Sequence, residues 1–133
     1  MSYEENLKNM SLEADASIGI YTGPPGLPGS AVPNYGKQYC FVKVTGKDQC
    51  GLCTAVDDDP VGILQNKPQV PGAAATVGYE GVSNVRVAGA IAAGVLVGPQ
   101  AVTGRAVARV GGKWRTLRPA TAANELVPVM KVS

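Results

Sequence analysis

The chain has 133 residues, 45% hydrophobic, 17% charged and 5% aromatic, with a formal net charge of +2 and no histidine. That length suits one domain with at most an appended arm, and it can bury a core without help from disulfides or a metal. The missing histidine removes the commonest general base, the usual activator of a Ser or Cys nucleophile and the commonest metal ligand, so most enzyme chemistries lose their first ingredient.

The apolar residues are mostly Val and Ala, with a single Phe and a single Trp, while Gly 17 and Pro 10 make up about a fifth of the chain. This is turn-rich composition suited to small, finely packed strands. No apolar run approaches a membrane span of roughly 18 residues. The start, MSYEENLKNM, is polar and acidic where a secretory signal is basic and then apolar, so synthesis is expected in a cytoplasm. Charge is unevenly distributed: residues 1–66 carry four Lys against eight acids, and residues 67–133 carry eight Lys/Arg against two. The halves, at −4 and +6, are expected to meet within one fold or between neighbouring copies.

Residues 1–36 read as an extended arm outside the core, and residues 37–133 as a single β domain. Leu7, Met10, Leu12 and Ile18 form no sustained helical stripe, and only a short helical turn near Glu4 to Met10 is expected. GPPGLPGSAVP, from Gly23 to Pro33, holds the backbone near polyproline II; its two collagen-like triplets are too few for a triple helix. Such an arm can add itself to the edge of another protein's sheet, with Leu7, Met10, Leu12, Ile18, Ile20, Tyr21 and Leu27 as its apolar contacts.

From Gln38 the aromatic and β-branched run QYCFVKVT predicts a strand, Gly46-Lys47-Asp48 a turn, and Gly51 to Val56 a returning strand. Asp57-Asp58-Asp59-Pro60 then breaks the sheet as a solvated acidic turn, because a Ca²⁺ loop spaces its ligands differently and needs a distal Glu that is missing. Between Pro60 and Gly98 come short apolar runs at Val61 to Gln65, Ala74 to Val77, Val82 to Ala88 and Val95 to Val97, punctuated by Gly and Pro, with Gly78-Tyr79-Glu80-Gly81 expected as a turn between the second and third. Further strands are predicted at Thr103 to Val110, Lys113 to Leu117 and Leu126 to Val132, the last at a sheet edge because of Pro128. Only Thr121 to Leu126 offers a helical turn. Eight or nine short strands with little helix predict an all-β fold, a small barrel or sharply bent ribbon.

Two constellations invite a chemical reading. Cys50-Gly51-Leu52-Cys53 is a CxxC, but a zinc site needs two further ligands and only Cys40 remains, while a redox pair should open a helix; the pair reads as small residues within a strand. Arg105, Arg109, Lys113, Arg115 and Arg118 surround Trp114 with no acid among them. One aromatic is thin for single-stranded nucleic acid, and Arg105, Arg109, Arg115 and Arg118 read instead as a solvated strand face or as contacts to acidic neighbours in an assembly. No metal, cofactor, nucleic-acid or membrane partner and no catalysis are expected.

PVGIL (60–64), PGAAATV (71–77) and VRVAGAIAAGVLV (85–97) together resemble the small head-decoration, or cement, proteins of tailed-bacteriophage capsids. The resemblance covers roughly Gly51 to Val110. It implies a bent-ribbon β module of β-clip or β-tulip kind, trimeric, seated on the outside of the virion at local three-fold positions, where it staples major capsid subunits and stabilises the shell. In that family an extended N-terminal arm joins a capsid sheet. The same Ile-x-x-Gly-x-x-Val phrase, Ile91 to Val97 with its neighbours, also resembles β-clip modules of sugar-acid enzymes and pilus-assembly proteins, which bind small molecules or carbohydrates.

Overall fold

The computed structural model describes residues 7–19, 37–68 and 70–132. Ten strands and one helical turn follow in chain order: β1 (Lys8–Ala14), α1 (Ala16–Gly19), β2 (Phe41–Gly46), β3 (Gln49–Leu52), β4 (Gly62–Leu64) and β5 (Ala74–Glu80) come first. After them lie β6 (Val82–Arg86), β7 (Leu96–Pro99), β8 (Ala106–Ala108), β9 (Trp114–Thr116) and β10 (Leu126–Lys131). The first group closes into a five-stranded barrel in the order β1-β3-β2-β4-β5; the second forms an antiparallel sheet in the order β6-β10-β9-β7-β8. The fold is all-β with almost no helix.

Two apolar clusters explain why strands this short suffice. Val42, Leu64, Ala75, Val77 and Cys50 fill one cluster with Ala14 and Ile18; Phe41, Ile63 and Cys53 belong to the other, with Val85, Val97, Trp114, Val127 and Val129 of the second sheet. Successive side chains of a strand point to opposite faces. Phe41/Val42 and Ile63/Leu64 are therefore apolar on both faces, one turned into each cluster, which is why these runs read as continuous rather than alternating. The main chain reinforces the seam: Tyr39, in the left-handed region at φ 66°, donates its N–H to the Leu64 carbonyl (2.7 Å) and accepts from the Arg86 N–H (2.9 Å).

The structure corrects several expectations. The segment 8–14 is a barrel strand and not part of a free arm: β1 runs antiparallel to β5 and parallel to β3. Sequence reading missed it because its residues alternate too weakly, with only Ala14 fully buried, and its partners lie 36 to 72 residues away, as Glu13↔Gln49 and Lys8↔Glu80 show. The helical turn expected near Glu4 to Met10 gives way to β1 where the residues are described, and the one observed lies at Ala16–Gly19, opened by Asp15, whose carboxylate accepts the Ser17 N–H at 2.8 Å. The helical turn expected at Thr121 to Leu126 is a bend stabilised by Glu125, which accepts from Thr121 Oγ1 (2.8 Å) and the Thr121 N–H (3.0 Å).

Pro128 sits inside its sheet, not at an edge, because β10 lies between β6 and β9. Its carbonyl accepts from the N–H of Leu117, which lies just past the end of β9. Within a strand a residue's N and O face the same neighbour, so the missing N–H falls where the β9 ladder has already ended and no bond to β6 is lost.

Close backbone approach makes Gly62 obligatory. A Cβ on Gly62 would stand 2.3 Å from the Gly78 carbonyl oxygen across the β4–β5 pair, whereas one on Gly89 would meet nothing within 4 Å. Gly62→Ala is expected to lower unfolding stability by about 1–3 kcal/mol through forced separation of the two strands. Gly89→Ala should leave stability within about 0.5 kcal/mol of the parent, both read by denaturant titration.

Candidate functional surfaces

The residues singled out for the arm divide into two sets. Ile18 is buried, Met10 and Leu12 pack against the barrel cluster, and the Leu7 side chain lies over Gly78. These four hold the barrel together. Ile20, Tyr21 and Leu27 fall outside the described residues.

The acidic turn is solvated at Asp57 and Asp59, as expected, and anchored at Asp58. Asp58 Oδ2 accepts from the N–H groups of Thr54 (2.9 Å) and Ala55 (3.0 Å) and from Lys43 Nζ (3.0 Å). Burial pushes its carboxyl upward, yet the Lys43 ammonium and the two N–H donors outweigh that and hold it below its ordinary 3.8. From the second sheet Arg109 Nη1 donates to the Asp58 carbonyl at 2.8 Å, and Lys113 reaches Asp59 at 3.4 Å. The acid-rich and base-rich halves thus meet inside one chain here. Among the described residues no three Cys, Asp or Glu side chains converge on a metal position.

Arg105 and Arg115 donate to neutral acceptors. Arg105 Nη1 donates to Asn124 Oδ1 (2.7 Å), Arg115 Nη1 to the Gly94 carbonyl (2.8 Å), and Arg118 is exposed just beyond β9. Trp114 is 1% exposed, so its ring is core and presents no stacking face to a nucleic-acid base; Lys131 Nζ lies 6.0 Å from its centroid.

The CxxC is split between the two cores. Cys50 belongs to the barrel cluster and Cys53 to the inter-sheet cluster, so their side chains do not serve a common ligand. Both thiols and Cys40 are free and buried. Burial pushes Cys40 and Cys50 up to about 11 and Cys53 to about 12, with Asp15 adding to the effect at Cys50 and Asp58 at Cys53.

Two open grooves mark the second sheet. One, of 370 Å³, is lined by Val95, Leu96, Ala108, Arg109, Val110 and Gly111; the other, of 250 Å³, runs from Ala88 to Ile91 and across Gln100 and Ala106. Their linings are chiefly aliphatic, and the guanidinium in the first is already engaged by Asp58. Val110 stands fully exposed at its rim. Sequence reading passed over Asp58 as a hub and Asp15 as a cap; the D-A-S spacing at 15–17 carried the second signal, while nothing local revealed the first. No protein-family model matches this chain, and no curated protein matches it.

Two outcomes follow from this geometry. Asp58→Ala should lower stability by about 1–2 kcal/mol near neutral pH, since three donors lose one acceptor. A carboxyl with a depressed folded pKa contributes stability above its unfolded value of 3.8 and loses it as pH falls through the folded value. Asp58→Asn should therefore flatten part of the fall in melting temperature between about pH 5 and pH 2. Separately, a chromogenic disulfide reagent should find its three thiols only after denaturant is added.

Proposed function

We propose that the chain is a structural decoration protein of a tailed-phage head, a cement module that binds the outer surface of the shell as a trimer and ties neighbouring major capsid subunits together. The observation that carries the reading is the way β1 is added to the barrel. A strand far away in sequence from its partners completes a sheet by main-chain pairing, and it is followed by the Pro- and Gly-rich residues 20–36. A sheet completed by main-chain pairing with a strand from far away in the chain is suited to sheet-addition contacts with a shell. The barrel-plus-sheet arrangement supports a β-tulip-like body, and the two grooves, with Arg109 and Gln100 as their only polar side chains, lack the convergent polar groups of a small-molecule site.

In this reading the shell contacts come from Ile20, Tyr21 and Leu27 and from exposed groups such as Arg115 and Arg118, because Leu7, Met10, Leu12 and Ile18 serve the barrel. The protein is made in the host cytoplasm and ends in the virion. Three such segments, residues 20–36 of each copy in one trimer, turn weak contacts into firm attachment through effective concentration. Purified protein mixed with expanded, undecorated tailed-phage heads should co-sediment with them, and binding should weaken as salt rises. Absence of co-sedimentation with any such shell would overturn the reading.

A further inference from the structure

The β1–α1 segment is held entirely by the barrel it closes. Six residue pairs join β1 to β5, from Lys8↔Glu80 to Glu13↔Ala74, and two join it to β3. Beyond the ladder, the Asp15 N–H donates to the Cys50 carbonyl (2.9 Å), Ser17 Oγ accepts from the Leu52 N–H (2.8 Å), and Thr45 Oγ1 donates to Asp15 Oδ2 (2.9 Å). Ala14 and Ile18 insert into the apolar cluster. Every one of these partners lies between residues 42 and 80, and none of these contacts depends on which copy of the chain supplies the segment.

Topology sets β1 apart from the other barrel strands. β2, β3, β4 and β5 are linked to one another by antiparallel pairings, whereas the one parallel pairing in the barrel is that of β1 with β3. A parallel neighbour needs a long connection, and residues 20–36 give one whose contour reach is up to about 55 Å. Withdrawing β1 would leave unpaired edges on β3 and β5 and uncover Val42, Leu64 and Val77, so a barrel without it must take an equivalent strand. Identical contacts, a long connection and a mandatory acceptor are the conditions for exchange between copies.

We propose that β1–α1 is an exchangeable closing element, which in the assembled protein docks on the barrel of a second copy of this chain. In an isolated chain it closes its own barrel; where copies are concentrated, each barrel is closed by a neighbour's segment and the assembly is interlocked. The inference stands on the barrel and is independent of the shell reading.

The native ion pair supplies the probe. Lys8 Nζ lies 2.9 Å from Glu80 Oε2, and both side chains are more than half exposed, so a carbodiimide can join them as an amide in the unaltered chain. Natural-abundance and ¹⁵N-labelled chains are unfolded together, refolded at high concentration, diluted to suppress chance encounters and crosslinked. If strands are exchanged at random, about half of the peptides linking positions 8 and 80 should join one light and one heavy chain. Links confined to light–light and heavy–heavy peptides would overturn the proposal. Should the amide form poorly, Ser11→Cys with Thr76→Cys places a disulfide across the same pair of strands, read in the same way. Mixed links without shell binding would leave exchange standing and overturn the decoration reading; shell binding without mixed links would do the reverse.

Discussion

Closure of the barrel by β1 is the constraint on which the rest depends. Four strands, β3-β2-β4-β5, form a curled sheet with two open edges, and the strand that pairs with both comes from the beginning of the described chain. Backbone N–H and C=O groups left unpaired next to an apolar cluster are expensive, so the sheet's interior is only secure once that strand is in place. The burial of Val77, Leu64 and Val42 follows from that closure.

The barrel in turn supports the second sheet. Phe41, Ile63 and Cys53, on the outside of the barrel, form a common core with Trp114, Val97 and Val129. The barrel and the second sheet therefore share the wall made by β2 and β4. The ties between Asp58 and Arg109, and between Tyr39, Leu64 and Arg86, cross the same seam in polar form. A rigid unit of this kind is suited to holding surfaces at fixed spacing.

Much of the strand content was legible because it rests on local chemistry. The runs at 61–65, 82–88 and 113–117 each contain an observed strand, the run at 74–77 lies inside β5, and Gly111-Gly112 turns the chain between β8 and β9, Gly111 at φ 77°. Boundaries moved where tertiary partners intervened: β5 continues through Gly78 to Glu80, taking residues expected in a turn, because β1 and β4 pair with it there. Candidate surfaces were less legible. Arg109 and Asp58 meet across 51 residues of sequence, and the CxxC looked like one unit until its two sulfurs were assigned to different cores.

The sequence by itself determined an all-β chain of short strands, little helix and turns at its glycines, since these follow from residue type and period over a few positions. It also determined that charge is divided between the halves. Only the tertiary structure decided that 8–14 is a wall of the barrel, that Pro128 lies inside a sheet and that the acidic turn is anchored by Lys43 and Arg109. Those outcomes depend on which distant strand supplies the neighbouring edge, and no local pattern of residues encodes that choice.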